Sequence, residues 1–218
     1  MNYFAHAIPF LNDPYFVAGT AVPDWLSVVD RRVRVRAKHA EPFVGGPDHR
    51  LASLAGGVLQ HIRDDAHFHE TRAFAETSLE LTGRARDALG RETGFRPSLL
   101  GHLLVEVLLD ASLIGDDPAR LDAYYGVLDA VDAAWVEAAI SRIAPRPCVR
   151  LALMIERFRR ERILWDYLDD AKLLTRLNQV MRRVRFAPLP DEFRDLLPPA
   201  REIVDGRKDV LLGGIPAL

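Results

Sequence analysis

Two segments of this chain place metal-type side chains at four-residue intervals on what is otherwise an apolar helix face. The first is His61, Asp65 and His69 in GGVLQHIRDDAHFHE; the second is His102, Glu106 and Asp110 in LLGHLLVEVLLDASL. Residues four apart stack on one face of a helix. Leu54 and Val58 lead into the first series, while Leu99 and Leu103 lead into the second, which runs on to Leu113. Charge on a face that should enter a core is unfavourable unless it is paired or coordinated. The pattern therefore asks for packed helices and for partners within them.

The rest of the chain carries the same helical period, and the expected class is all-α, a single-domain helical bundle over residues 1–218. In that reading residues 1–115 form the half with the polar series, helices at about 118–205 follow, and 206–218 is a loose tail ending in Gly213-Gly214-Ile215-Pro216. Two short pieces separated near Pro23 are expected over 14–30. Residues 31–36, which alternate Arg with Val, suit a short strand or an exposed extended segment. Helices are expected over 51–70 and 72–89, then a turn at Gly90 to Gly94. Pro97 opens the next helix in the first-turn position that proline tolerates. Further helices are expected over 118–143, over 148–185 with a break near 168–171, and over 191–204.

Composition narrows the function. A net charge of −2 and a pI near 6.4 argue against general nucleic-acid binding. Basic patches remain at Arg31 to Arg36, Arg157 to Arg162 and Met181 to Arg185. Each suits either a solvated face or the docking of an acidic partner or phosphate. Cys148 is the single cysteine and is read as packing, in keeping with a reducing, cytoplasmic setting. The start lacks the pattern of a signal peptide. No membrane span is expected, because His102 and Glu106 interrupt the best apolar run.

His6 and Asp24 join the candidates because each sits in apolar company, in MNYFAHA and AVPDWL. Alone, His6 suits a hydrogen-bonded core residue as well as a ligand, and Asp24 suits a helix cap behind Pro23. Taken together, imidazole and carboxylate are the ligands of Zn, Mn or Fe at hydrolytic centres. A His-x3-Asp pair and a His-x3-Glu pair on neighbouring helices could converge on one or two ions, with His6 and Asp24 closing the site. The alternative for His102 and Glu106 is a buried pair that fixes helix register. Asp110 drifts off its stripe and is expected to cap or to face solvent; His67 lies on another face. Gly56-Gly57 is read as a close helix contact. No serine or cysteine nucleophile motif and no phosphate-binding glycine loop is present.

These residues also carry a resemblance. Met1-Asn2-Tyr3-Phe4-Ala5-His6, then Gly19 and Asp24, then Gly57 to Asp65 with its His-x-Arg-x-Asp core, then the acid-bearing stretch 96–113, look like the acyl carrier protein phosphodiesterase family. It covers roughly residues 1–113. It implies an HD-domain-like helical fold and release of 4′-phosphopantetheine from holo-carrier protein, with a divalent metal, typically Mn²⁺ and otherwise Fe or Zn. On that scheme His6, Asp24, His61, Asp65, His102 and Glu106, together with His69, are assigned to the metal shell. Asp24 is implied either as a ligand or to orient water, and Arg63 as a phosphate clamp unless it merely pairs with Asp64. The chain departs from the family at His69, where a further Asp is usual, and at His102 and Glu106, where acids recur at four-residue spacing. Two alternatives stay open: the same hydrolase acting on a nucleotide or phospholipid, and a helical binding protein without chemistry.

Overall fold

A computed structural model describes residues 1–90 and 95–213. Every regular element among them is a helix, so the all-α class stands. In chain order they are α1 (Tyr3–Ala7), α2 (Pro14–Val29), α3 (Ala37–Ala40), α4 (His49–Glu70), α5 (Arg72–Leu89) and α6 (Pro97–Asp116), followed by α7 (Pro118–Asp129), α8 (Ala133–Ile143), α9 (Leu151–Glu161), α10 (Asp170–Val184), α11 (Leu197–Asp205) and α12 (Lys208–Leu212). Short 3-10 turns occupy Ile163–Leu168 and Asp191–Leu196. The expected turn at 90–94 falls largely on residues 91–94, and the end of the tail on 214–218, both outside the described residues.

Several helix boundaries differ from expectation for local reasons. Residues 14–29 form one helix with Pro23 inside it. Asp13 caps it by accepting from the Tyr15 and Phe16 amides, at 3.1 and 3.0 Å. A proline inside a helix removes one backbone bond and crowds the carbonyl four residues back, here that of Gly19; the cap and the packing below outweigh that cost. The expected helix 118–143 is two, because Asp132 caps a new start at the Trp135 amide. In the expected stretch 148–185 the break foreseen near 168–171 is present, with Asp169 capping α10, but α9 ends earlier, where Arg162 turns left-handed at φ 45°. Residues 31–36 form no strand; Val33 and Val35 are buried while Arg34 and Arg36 are exposed. The expected loose tail contains α12, whose Leu211 is buried.

The helices gather into two compact units. The first comprises Tyr3–Ala66 and Asp117–Arg162. Its core is aromatic: Phe4, Trp25, Tyr124, Tyr125 and Phe158 are fully buried, with Trp25 and Tyr125 ring centroids 5.5 and 5.8 Å from Phe158. Burying each such ring contributes roughly 1.5–3 kcal/mol. Here α2 and α4 cross backbone to backbone. A Cβ on Gly57 would lie 2.1 Å from the Phe16 carbonyl, and one on Gly19 would lie 2.2 Å from that of Leu54. Only glycine fits at both places, so the expected close contact at Gly57 is present.

Among the described residues the second unit comprises Met1–Asn2, His67–Asp116 and residues 163–213. It packs α5, α6, α10 and α11 around Leu81, Leu100, Leu104, Leu173 and Leu197, all fully buried. At Gly101 a Cβ would lie 2.2 Å from Thr82 Oγ1 and 2.5 Å from the Ser78 carbonyl, so α5 and α6 also meet across a glycine. Among the described residues α6 alone is long and apolar enough to cross a membrane. More than half of that apolar window is buried within the protein, which makes α6 a core helix. His102 and Glu106 interrupt its apolar run, as expected, but hydropathy averaged over the helix absorbs them.

Candidate metal sites

The structure sorts the sequence candidates into two groups of three ligand atoms, each group within 4.8 Å: His6, His61 and Asp65, and His69, His102 and Glu106. Each belongs to a single unit.

In the first unit, His6 Nε2 lies 3.2 Å from Asp65 Oδ1 and His61 Nε2 lies 3.3 Å from Asp65 Oδ2. The imidazole rings stand 4.3 Å apart. Each ring is held from behind. His61 Nδ1 donates to the Thr20 carbonyl at 2.8 Å, and a carbonyl can only accept, so the proton of a neutral ring resides on Nδ1. His6 Nδ1 lies 3.1 Å from Asp64 Oδ2, while Gln60 donates to Asp64 Oδ1 at 2.7 Å. Both Nε2 lone pairs of the neutral rings then aim at one carboxylate. That arrangement is repulsive unless a proton or a cation lies between. His6 Nε2 is buried and, despite its proximity to Asp65, makes no aligned hydrogen bond. A metal with bonds of about 2.1 Å places neighbouring ligands roughly 3.0–3.4 Å apart; the two His–Asp65 contacts lie in that range, one on each carboxylate oxygen.

Charge in this group follows from burial and partners. Burial alone would depress His6, but the Asp64 and Asp65 carboxylates outweigh it and raise its pKa to about 9. Burial pushes Asp65 upward, but its contacts with His6 and His61 outweigh that and hold its carboxyl below the usual range. Without a metal the group thus keeps a proton on His6, which an incoming ion would displace.

In the second unit, His69 Nε2 lies 2.9 Å and His102 Nε2 3.3 Å from the same oxygen, Glu106 Oε1. The Met1 amino group lies 3.2 Å from that oxygen. Burial raises Glu106, but the Met1 amino group, then His102 and His69, outweigh it and hold its carboxyl below the usual range. Phe74 walls the site, its ring 4.8 Å from His69 and 4.9 Å from His102. Among the described residues neither Nδ1 has a hydrogen-bond partner.

Other candidates fall outside both groups. Asp24 stands in α2 one turn beyond Thr20 and belongs to neither. Arg63 is exposed and, two residues from both His61 and Asp65, lies on another face of α4. Asp64 does not pair with Arg63; it is buried against His6 and Gln60. Asp110 is fully buried, contrary to the expectation of a cap or solvent position, because it lies on the packed side of α6. His67 is exposed, 3.4 Å from the Gly213 carbonyl. Cys148 is buried, bonded to Ser141 through its amide, and its thiol is pushed up by burial.

Sequence reasoning missed Asp64 and Thr20 as supports. Asp64 was findable: it follows His61 by three and precedes buried Phe68 by four, which puts it on the apolar face. Thr20 acts through its backbone, which no side-chain pattern reports.

Of the basic patches, Arg157 and Arg162 pair with Glu161 and with Asp122 and Asp129. In the Arg31 to Arg36 segment Arg32 pairs with Asp30, and the segment lines an open cleft of about 580 Å³ with Lys38 and His39. No protein-family model, curated protein or solved structure matches this chain.

Proposed function

We propose that the chain is a divalent-metal-dependent phosphodiesterase, with His6, His61 and Asp65 holding the ion. The observation that carries the proposal is the pair of imidazoles fixed from behind by Asp64 and the Thr20 carbonyl, both turned toward Asp65. A hydrogen-bonded shell behind histidine is the usual companion of metal ligation. A divalent ion held there lowers the pKa of water and neutralises charge on a phosphoryl oxygen.

The protein's own residues supply the rest. Asp64 and Thr20 hold the imidazoles in the ligating tautomer, and Asp65 contributes the compensating charge. Asp24 is proposed to orient water, on the family resemblance. That resemblance further proposes an HD-domain-like helical arrangement, Mn²⁺ as the ion and holo-acyl carrier protein as the substrate. The arginine-lined cleft of the same unit offers the positive charge that an acidic carrier protein would need.

The test is to incubate the Mn²⁺-loaded protein with holo-carrier protein and, separately, with bis(p-nitrophenyl) phosphate. Release of phosphopantetheine supports the full proposal. Hydrolysis of the synthetic diester alone keeps the chemistry and moves the substrate to a nucleotide or phospholipid. Stoichiometric metal with neither activity would sink the enzyme reading.

A further inference from the structure

We propose that His69, His102 and Glu106 bind a divalent transition-metal ion of their own, with one position open toward the cleft beside His102 for an anionic ligand. The donor set is two imidazoles and one carboxylate, the combination of catalytic zinc and non-haem iron sites, which leave positions free. The 3.3 Å contact on Glu106 Oε1 has the spacing of neighbouring ligands on one ion, and the 2.9 Å contact is a hydrogen bond that an ion would open slightly. A carboxylate oxygen only accepts, so without an ion a neutral His69 presents its Nε2 proton to Glu106; an ion would take the Nε2 lone pairs with the protons moved to the Nδ1 atoms, which no partner among the described residues opposes. The Met1 amino group sits on that same oxygen, so an ion there would displace it toward the second oxygen of the carboxylate.

The surroundings distinguish this group from a plain ion pair. His102 has a side chain 40% exposed, and it lines a cleft of about 570 Å³ with Arg96, Ser98, Leu99, Val184 and Phe186. The Arg96 guanidinium stacks 5.4 Å from the Phe186 ring, which fixes a cation beside an apolar wall. An oxyanion on an apolar chain fits that chemistry: the head to the metal and Arg96, the tail along Leu99 and Val184. A carboxylate or phosphate head would serve equally. The inference does not depend on hydrolysis in the first unit.

The test uses the full chain. Metal-depleted protein is titrated with Co²⁺, followed by visible absorption and elemental analysis, for wild type, His61→Ala, His102→Ala and Glu106→Gln. Two ions in wild type and one in each variant are expected, with the His61→Ala spectrum unlike that of the other two. Octanoate and octyl phosphate should each shift the spectrum of the ion that survives in His61→Ala, and Arg96→Ala should weaken that shift at least threefold. Far-ultraviolet circular dichroism checks folding, and Glu106→Gln, which keeps shape, stands in if His102→Ala fails to fold. A single ion lost in both His61→Ala and His102→Ala overturns the inference, as does a surviving ion blind to both anions. A single ion lost only in His102→Ala upholds it and removes the metal from the proposed phosphodiesterase site.

Discussion

The two triads share a donor set and differ in what stands behind it. His6 and His61 are backed by a carboxylate and a carbonyl, and are almost fully buried. His69 and His102 are backed by nothing among the described residues, partly exposed, and walled by Phe74. Ligands alone therefore do not define a site. The first arrangement pre-orients its imidazoles and suits an ion held at fixed geometry; the second leaves rotation and access, and suits an ion that exchanges or accepts an outside ligand.

The sharpest way to break this contrast is His61→Ala. It should abolish diester hydrolysis to background while leaving the ion of the second unit bound; loss of both on elemental analysis would show that the two triads do not act apart. Next in size is Gly57→Ala. Its Cβ would meet the Phe16 carbonyl at 2.1 Å, so the helices must part. We expect destabilisation of about 3 kcal/mol in chemical denaturation, and loss of the first ion with it. An unshifted midpoint would show that the crossing is soft.

Asp64→Asn tests the backing itself. Removing such a support typically costs about 10–100-fold in metal affinity, read here by competition with a chromophoric chelator. Affinity in the second unit should not move, and an equal loss there would erase the distinction.

A smaller effect is expected from pH in chelator-treated protein. His6 is raised to about 9 from 6.5, so its proton favours the folded state. That contribution is whole below about 6.5 and is lost as pH rises through about 9. Denaturation midpoints should fall across this window, and Asp64→Asn should flatten the fall. A fall of equal size in that variant would place the cause elsewhere.

Much of the helical pattern was legible because apolar period and capping agree: α5 begins and ends where the pattern puts it, and Pro97 opens α6. The splits near Asp132 and Arg162 were not, since a single cap or a left-handed residue ends a helix without disturbing its period. In the sites, His61 with Asp65 and His102 with Glu106 were legible from spacing. That His69 joins His102, while His6 joins His61, depends on tertiary packing that spacing does not encode. Arg63 looked like part of the block because it is adjacent in sequence, yet two residues along a helix is the wrong side.

Pro23 brings a last consequence. A prolyl nitrogen cannot bond the Gly19 carbonyl, and its ring pushes that carbonyl aside. The neighbouring Thr20 carbonyl is the acceptor for His61. A residue that reads as a helix breaker thus leaves the Gly19 carbonyl without its helical donor, one position before the carbonyl that anchors His61. Pro23→Ala should restore the backbone bond to the Gly19 carbonyl and shift the His61 ¹⁵N resonances modestly; unchanged resonances would confine the role of Pro23 to its own turn of α2.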